Sequence, residues 1–294
     1  MPERLVAANS HSTFEFRLLT LVEHITMSKL QEVFDCPKPV ALITGSGSPR
    51  VGRAIAIHLA SLGCRIALHA NTSIEQAEDL AKHLNDTHSS QAIVTRGSLC
   101  DDGTPERLVD ETVTTFKRLD ILVNSAAIWQ PTPLEKVTAH EIREYFEINS
   151  VASFLCAKAA GLQMVAQPSG GSIINIGDWA TVRPYLDHAA YFPSKGAIET
   201  MTRSLAVELG HRNQRIRVNC IQPGPVLLGE ETTDEFAQKM ASSTLAGKVG
   251  TPEHVAHATQ FLCENDFVTG TCIPVDGGRS IFAPDGIQAG LNSG

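Results

Sequence analysis

Two side chains four residues apart, Tyr191 and Lys195, have the types and the spacing needed for proton transfer. Residues at this separation lie on one face of a helix, so the two side chains are predicted to be neighbours. A free phenol titrates near ~10, and a nearby ammonium lowers that pKa by stabilising the phenolate. We therefore expect Tyr191 to act as a general acid or base whose pKa is adjusted by Lys195.

A glycine-rich turn at residues 44–52 follows the first predicted strand. Glycine allows the backbone to turn sharply and to approach a pyrophosphate, whose charge is attracted by free N–H groups at the start of the next helix. Without other support, the same turn could be an ordinary connection between a strand and a helix. The residues predicted here as cofactor ligands are Gly45, Ser46, Arg50, Val51 and Gly52.

The second predicted strand ends without an acidic residue that could hold the ribose 2′-hydroxyl of NAD. The side chains of Asn71, Thr72 and Ser73 could instead donate to a 2′-phosphate, together with the guanidinium of Arg50. This pattern favours NADP(H) over NAD(H). Alternatively, Thr72 or Ser73 caps the helix that starts near Ile74, and both roles can coexist.

Short aliphatic runs alternate with longer amphipathic stretches along the chain, a pattern typical of βαβ units. It predicts an α/β fold with a Rossmann-type, doubly wound parallel sheet of about seven strands in a single domain. Such a sheet binds ligands at the carboxyl ends of its strands, where both motifs lie. We expect the domain to span residues 38–283, between a mobile N-terminal extension at 1–37 and a C-terminal tail at 284–294.

The composition argues against several classes of partner. A formal charge of −8 over 294 residues offers no broad basic face to nucleic acid or to an anionic membrane. No apolar run reaches membrane-spanning length. Seven cysteines lack the spacing of a metal site or a disulfide framework. Free thiols suit a reducing compartment, so we expect a cytoplasmic protein that has no metal and acts on a small molecule.

The order of these motifs resembles the short-chain dehydrogenase/reductase family over about residues 38–279. In chain order, the matching segments are the turn at 44–52, Asn124 to Ala127, Asn149, the Tyr191 and Lys195 pair, Asn219, Pro223 with Gly224, and Val275 to Gly278. The resemblance implies that Tyr191 donates a proton, that Lys195 also binds the ribose, and that Asn149 holds a water linking Lys195 to solvent. It further implies a homo-oligomer, either a dimer or a tetramer.

The same resemblance implies further cofactor contacts on the adenosine and nicotinamide sides. The Asn124 segment would line the adenosine, and the Pro223–Gly224 pair would close over the nicotinamide. The additional predicted cofactor ligands are Ser98, Leu99, Asn124, Ala126, Pro223, Gly224 and Val226. Alternatively, Asn124 caps a strand end, and Asn149 is a polar residue that bends its helix.

Asp178 stands thirteen residues before Tyr191, where most members of the family carry serine. An ionised carboxylate repels the oxyanion that forms when a ketone is reduced, whereas it suits a substrate with N–H groups or a protonatable C=N bond. In this feature the chain resembles the pteridine reductases, and Trp129 lies where those enzymes place an aromatic residue against the pterin. Trp129, Asp178 and Tyr191 are therefore the predicted substrate contacts.

Together these features predict an NADPH-dependent reductase that transfers hydride to a small unsaturated substrate, with pterin or dihydrofolate-like C=N reduction favoured. One alternative is a carbonyl or 3-oxoacyl-thioester reductase, or a sugar dehydrogenase. Another is a dinucleotide sensor that keeps the fold without catalysis. Trp129 could also be a core or subunit-interface aromatic instead of a substrate contact.

Overall fold

The computed structural model describes residues 27–88, 91–229 and 232–282. Seven strands form one parallel sheet in the order β3-β2-β1-β4-β5-β6-β7. They are β1 (Val40–Ile43), β2 (Arg65–Ala70), β3 (Ala92–Arg96), β4 (Ile121–Asn124), β5 (Gly171–Ile176), β6 (Ile216–Pro223) and β7 (Cys272–Val275). The predicted Rossmann-type parallel sheet in a single domain is confirmed.

Helices cover both faces of the sheet, as the aliphatic strands require. They are α1 (Lys29–Val33), α2 (Val51–Ser61), α3 (Ile74–Thr87), α4 (Thr104–Phe116), α5 (Ala139–Tyr145), α6 (Ala152–Val165), α7 (Tyr191–Arg212), α8 (Asp234–Ser242) and α9 (Pro252–Glu264). Successive strand residues point to opposite faces. Ala41 and Ile43 therefore pack with α2 and α9, whereas Val40 and Leu42 pack with α4 and α6.

The strand order reverses between β1 and β4, and this reversal positions the site. β1 pairs with β2 on one side and with β4 on the other, so the connections after β1 and β4 leave in different directions. A crevice opens between them at the carboxyl ends of the strands. Thr44 holds its two sides together, because its hydroxyl oxygen accepts the N–H groups of Ser125 and Ala126 at 3.0 and 3.1 Å.

The packed part of the chain begins earlier than the predicted boundary at residue 38. Ser28 caps α1 with a capping box, and Leu30 and Phe34 are buried in the core on the α2 and α9 face. The Arg118 guanidinium also donates to the carbonyl oxygen of Phe34 at 2.8 Å. Residues 28–36 thus pack against the domain, although the sequence places them in the predicted extension because a five-residue helix is too short to show a periodic pattern. Residues 1–26 and the predicted tail at 284–294 lie outside the described residues.

One helical run, Ala139–Val165, is apolar and long enough to cross a membrane by length and composition alone. The sequence prediction that no run reaches this length did not identify it. Half of the apolar window is buried inside the protein, as in a helix that packs in a core. A π-helical turn, Phe146–Val151, interrupts the run and contains the buried Asn149.

We expect Phe34→Ala to lower the free energy of unfolding by about 3 to 5 kcal/mol, because it leaves a cavity in the core. Phe267→Ala is a matched control, since the Phe267 side chain is 96% exposed and Phe34 only 1%. That control should change stability by no more than about 0.5 kcal/mol. Urea unfolding monitored by circular dichroism measures both values. Equal stability of the two variants would show that α1 does not belong to the folded core.

Candidate active site

A cleft at the carboxyl ends of β1 to β5 contains most of the residues predicted to bind the cofactor. Those that line it are Gly45, Arg50, Val51, Asn71, Thr72, Ser73, Ser98, Leu99, Ala126, Tyr191 and Lys195. Among the described residues, no Asp or Glu lines the cleft. A phosphate-rich dinucleotide would therefore meet neutral or cationic side chains, with Arg50, Thr72 and Ser73 close to the end of β2.

The glycine turn has no room for side chains because it packs closely against neighbouring segments. Gly45 has a φ of +64°, and a Cβ atom there would lie 2.7 Å from the Cα atom of Ala126. A Cβ atom on Gly47 would lie 2.4 Å from the Ser73 hydroxyl oxygen. Glycine at these positions therefore lets the turn adopt its conformation against the segments after β4 and β2. The turn leads directly into the N-terminus of α2, whose free N–H groups suit the charge of a pyrophosphate.

His69, at the end of β2, fixes this turn and was not identified from the sequence as a site residue. Its Nδ1 atom accepts the N–H of Gly45 at 3.2 Å, and its Nε2 atom lies 2.9 Å from the carbonyl oxygen of Gly97. A carbonyl only accepts, so Nε2 carries the proton and the ring is neutral. Burial lowers the pKa of His69, which favours this form. The only signal in the sequence is a polar residue inside an otherwise aliphatic strand.

Several predicted cofactor ligands do not line the cleft. Ser46 is fully buried, and its hydroxyl donates to the carbonyl oxygen of Ile43 at 2.9 Å. The Asn124 amide donates to Ser153 O at 3.0 Å and to Asn175 Oδ1 at 2.9 Å, which ties β4 to α6 and β5. The others are Gly52, packed against the carbonyl of Gly45, and Val226, packed in the core. Pro223 and Gly224 line the neighbouring cavity instead.

Tyr191 and Lys195 lie one turn apart at the start of α7, and both are buried. The Tyr191 hydroxyl donates to Asp178 Oδ2 at 2.7 Å, and the Lys195 ammonium donates to the carbonyl oxygen of Ile176 at 2.8 Å. Burial lowers the pKa of Lys195. Burial, and then the charge and hydrogen bond of Asp178, raise the pKa of Tyr191. The lowering of the Tyr191 pKa by Lys195 stays a prediction, since desolvation and the Asp178 carboxylate act in the opposite direction in this structure.

Asp178 is held in place by the backbone that follows β5. Its Oδ1 atom accepts the N–H of Ala180 at 2.8 Å and caps the short 3-10 helix Trp179–Thr181. With Oδ1 bound to the backbone and Oδ2 bound to Tyr191, both oxygens have a fixed direction. The phenol and the carboxylate thus form one hydrogen-bonded unit, in which Tyr191 lines the cleft and Asp178 lines the neighbouring cavity.

Asn149 lies beside this unit without lining the cleft. Its Oδ1 atom accepts the N–H of Ile128 at 2.9 Å, and its Nδ2 atom donates to Ile128 O and to Ser194 Oγ at 3.2 and 3.1 Å. The side chain therefore fixes the loop before Trp129 to the first turn of α7. Its place in a π-helical turn also fits the alternative of a polar residue that distorts its helix.

A second cavity adjoins the cleft at Trp129, and Asp178 is among the residues that line it. It is lined by Ser48, Pro49, Arg50, Trp129, Asp178, Trp179, Tyr185, Pro223, Gly224, Pro225, Leu227, Leu228, Gly229, Thr232, Phe236, Met240 and Arg279. Trp129 is 44% exposed, its Nε1 atom donates to the Tyr185 hydroxyl at 3.2 Å, and its ring stacks on His188 at 4.8 Å. Trp129 and Asp178 thus line this cavity, whereas Tyr191 lines the adjoining cleft and is joined to Asp178 by a hydrogen bond. Tyr185, His188 and Arg279 were not identified from the sequence, since distant segments bring them there.

We expect His69→Gln to lower the free energy of unfolding at pH 8 by about 1 to 3 kcal/mol, because buried backbone groups lose their partners. Below its ordinary pKa of 6.5, His69 takes up a proton in the unfolded chain while the folded protein keeps it neutral. This part of the stability is therefore present above that pH and is lost as the pH falls through the lower, folded pKa.

The difference in stability between the wild-type protein and His69→Gln should consequently shrink as the pH falls below 6.5. Urea unfolding at several pH values from about 5 to 8 measures it, in the range where histidine titrates. His83→Gln, on the exposed side of α3, serves as the control and should leave stability unchanged. A difference between wild type and His69→Gln that stays constant with pH would argue against a neutral, buried His69.

Comparison with known proteins agrees with this geometry. The family of enoyl-(acyl carrier protein) reductases matches residues 49–280. An NADPH-dependent aldehyde reductase-like protein of Arabidopsis thaliana is 33% identical, covering 81% of this chain and 93% of its own. A short-chain type dehydrogenase/reductase of Picea abies is 33% identical, over 82% and 92%. Versicolorin reductase 1 of Aspergillus parasiticus is 31% identical, over 81% and 95%. This chain therefore belongs to the short-chain dehydrogenase/reductase family of oxidoreductases, as the order of its motifs predicts.

Proposed function

We propose that this oxidoreductase uses NADPH to reduce a ring C=N bond in a small substrate of the pterin or dihydrofolate type. The observation that carries the proposal is the 2.7 Å hydrogen bond from the Tyr191 hydroxyl to Asp178 Oδ2. It places a carboxylate, which accepts hydrogen bonds, beside the proton donor. A ring that presents N–H groups meets this carboxylate favourably, and a developing oxyanion does not.

NADPH fits the cleft because the glycine turn permits close approach and no described acidic residue lines the walls. When bound, it supplies the hydride. Arg50, Thr72 and Ser73 are the proposed partners of the 2′-phosphate, and Lys195 is the proposed partner of the ribose. The guanidinium of Arg50 is exposed at the mouth of the cleft, which leaves it available to a phosphate.

Tyr191 is proposed to supply the proton. Burial and Asp178 raise its pKa, so the hydroxyl stays protonated until a strongly basic atom appears beside it. A ring nitrogen becomes such an atom as the adjacent carbon accepts hydride, and the Tyr191 proton then moves to that nitrogen. Lys195, one turn further along α7, provides the positive charge that stabilises the phenolate left behind.

Reduction of an aldehyde or ketone is the second candidate, and the similarity to an aldehyde reductase-like protein favours it. In that reaction the Tyr191 hydroxyl would turn from Asp178 to the carbonyl oxygen. The growing negative charge on that oxygen would then lie close to a carboxylate, which raises the barrier. The same residues would carry out either reaction, and Asp178 would determine which substrate is reduced faster.

We also propose that the protein is a homo-oligomer. α6 and α7 expose apolar side chains on the surface away from the sheet, among them Phe154 at 41%, Leu162 at 52% and Val207 at 71%. Exposed apolar groups on adjacent helices are typical of surfaces that bind another subunit. The choice between a dimer and a tetramer stays open, and the cytoplasmic location stays a prediction.

A steady-state assay of NADPH oxidation tests the proposal with dihydrobiopterin and dihydrofolate against a β-ketoacyl thioester and an aldehyde. We expect turnover of at least one of the first two. Asp178→Ser should lower its kcat/KM about 100-fold or more, while raising that of the carbonyl substrates, because it replaces a carboxylate by a hydroxyl donor.

Tyr191→Phe is the control for the site, since it should abolish turnover of every substrate and keep NADPH binding, measured by cofactor fluorescence. If neither pterin is turned over while the thioester or the aldehyde is reduced rapidly, the C=N proposal is wrong. If Asp178→Ser reduces pterins as fast as the wild-type enzyme does, Asp178 has no role in the choice of substrate.

A further inference from the structure

Arg279 lines the proposed substrate cavity and carries a positive charge, and the proposed reaction gives this residue no role. It follows β7, and its guanidinium carbon lies 4.6 Å from the centre of the Trp179 ring, directly after Asp178 in the chain. Its backbone is held from two sides. The Asp276 carboxylate accepts the N–H groups of Gly278 and Ser280 at 2.8 and 2.7 Å, and Arg183 donates to Arg279 O at 3.0 Å.

The Arg279 guanidinium lacks an anionic partner among the described residues. Among the described residues, the hydrogen-bond acceptor of this guanidinium is the sulfur of Met240, which is a weak acceptor. The two carboxylates nearest in the chain to Arg279 and Trp179 are already engaged. Asp276 binds the backbone, and Asp178 binds Tyr191 and Ala180 N. A guanidinium has five N–H donors, so most of them have no acceptor among the residues that the structure describes.

Leaving such a cation partly buried has a cost. Burial lowers the pKa of Arg279, and the nearby charge of Arg183 acts in the same direction. Desolvated donors without acceptors destabilise the free protein. An anion in the cavity would remove this penalty, and the Trp179 ring would hold the plane of the guanidinium while it binds.

We propose that Arg279 binds a carboxylate group of the substrate. A planar guanidinium on an aromatic ring suits a carboxylate, which can accept two parallel N–H bonds. The inference rests on the proposed function and refines it. The ring to be reduced would lie at Tyr191 and Asp178, and the carboxylate would lie against the Arg279 guanidinium, between Trp179 and Met240. Dihydrofolate, with its glutamyl carboxylates, fits this pattern better than dihydrobiopterin, whose side chain is uncharged.

Kinetics with these two substrates test the proposal. Arg279→Met removes the charge and keeps the length of the side chain, so we expect KM for dihydrofolate to rise ~10-fold or more. KM for dihydrobiopterin should stay within about twofold, as should kcat for both. Arg279→Lys should restore part of the loss. The control is Arg212→Met on the exposed end of α7, which should change nothing. Equal changes in KM for both substrates would show that Arg279 has only a structural role.

Binding of benzoate and benzamide, which have the same size but differ in charge, gives a readout that needs no turnover. We expect the wild-type protein with NADP⁺ to bind benzoate more tightly, and Arg279→Met to lose that preference, measured by quenching of tryptophan fluorescence. A preference for benzoate without turnover of pterins would overturn the proposed function and keep the anion site. Turnover of pterins with equal binding of both probes would overturn the anion site alone.

Discussion

The reversal of strand order between β1 and β4 determines where the cleft opens, and the candidate site residues lie around this cleft. Because β2 and β4 flank β1, the segments after β1 and β4 diverge and leave a crevice at the carboxyl edge of the sheet. Two hydrogen bonds then fix the backbone at the base of this crevice. Thr44 Oγ1 accepts the N–H of Ala126, and His69 Nδ1 accepts the N–H of Gly45. The next strand, β5, ends two residues before Asp178, so the proton-transfer groups meet the cleft without any long loop.

Burial has opposite effects on the two groups of the catalytic pair. It raises the pKa of Tyr191 and lowers that of Lys195, because each group loses water around its charged form. Asp178 raises the pKa of Tyr191 further, whereas for Lys195 it opposes the lowering caused by burial. The result is a phenol that keeps its proton well. Such a donor is suited to an acceptor that becomes strongly basic during the reaction. In the proposed reaction this acceptor is a ring nitrogen, which becomes basic when the adjacent carbon accepts hydride.

The parallel sheet could be predicted from the sequence because it depends on local periodicity, and the adjacency of Tyr191 and Lys195 on one helix could be predicted because it depends on their spacing. Asp178 was also identified, as a departure from a family pattern. The ligand assignments of Ser46 and Asn124 did not anticipate that both side chains point into the protein, because the direction of a side chain at a strand end depends on register with the neighbouring strand. His69 and Arg279 were missed since their partners lie in distant segments.

Two sets of residues from different segments of the chain surround the proposed substrate site. The residues proposed for proton transfer are therefore different from those proposed to select the substrate. Tyr191 and Asp178 lie on α7 and just after β5, in the rigid part of the fold. Phe236 and Arg279 come from the segments after β6 and β7. Changes in these later segments can alter what binds without moving the proton donor. A ligand without an anionic group for Arg279 leaves this partly buried guanidinium without an anionic partner, and such a loss discriminates more strongly than a missing apolar contact. A relative can therefore share the catalytic pair with this protein and still act on a different compound.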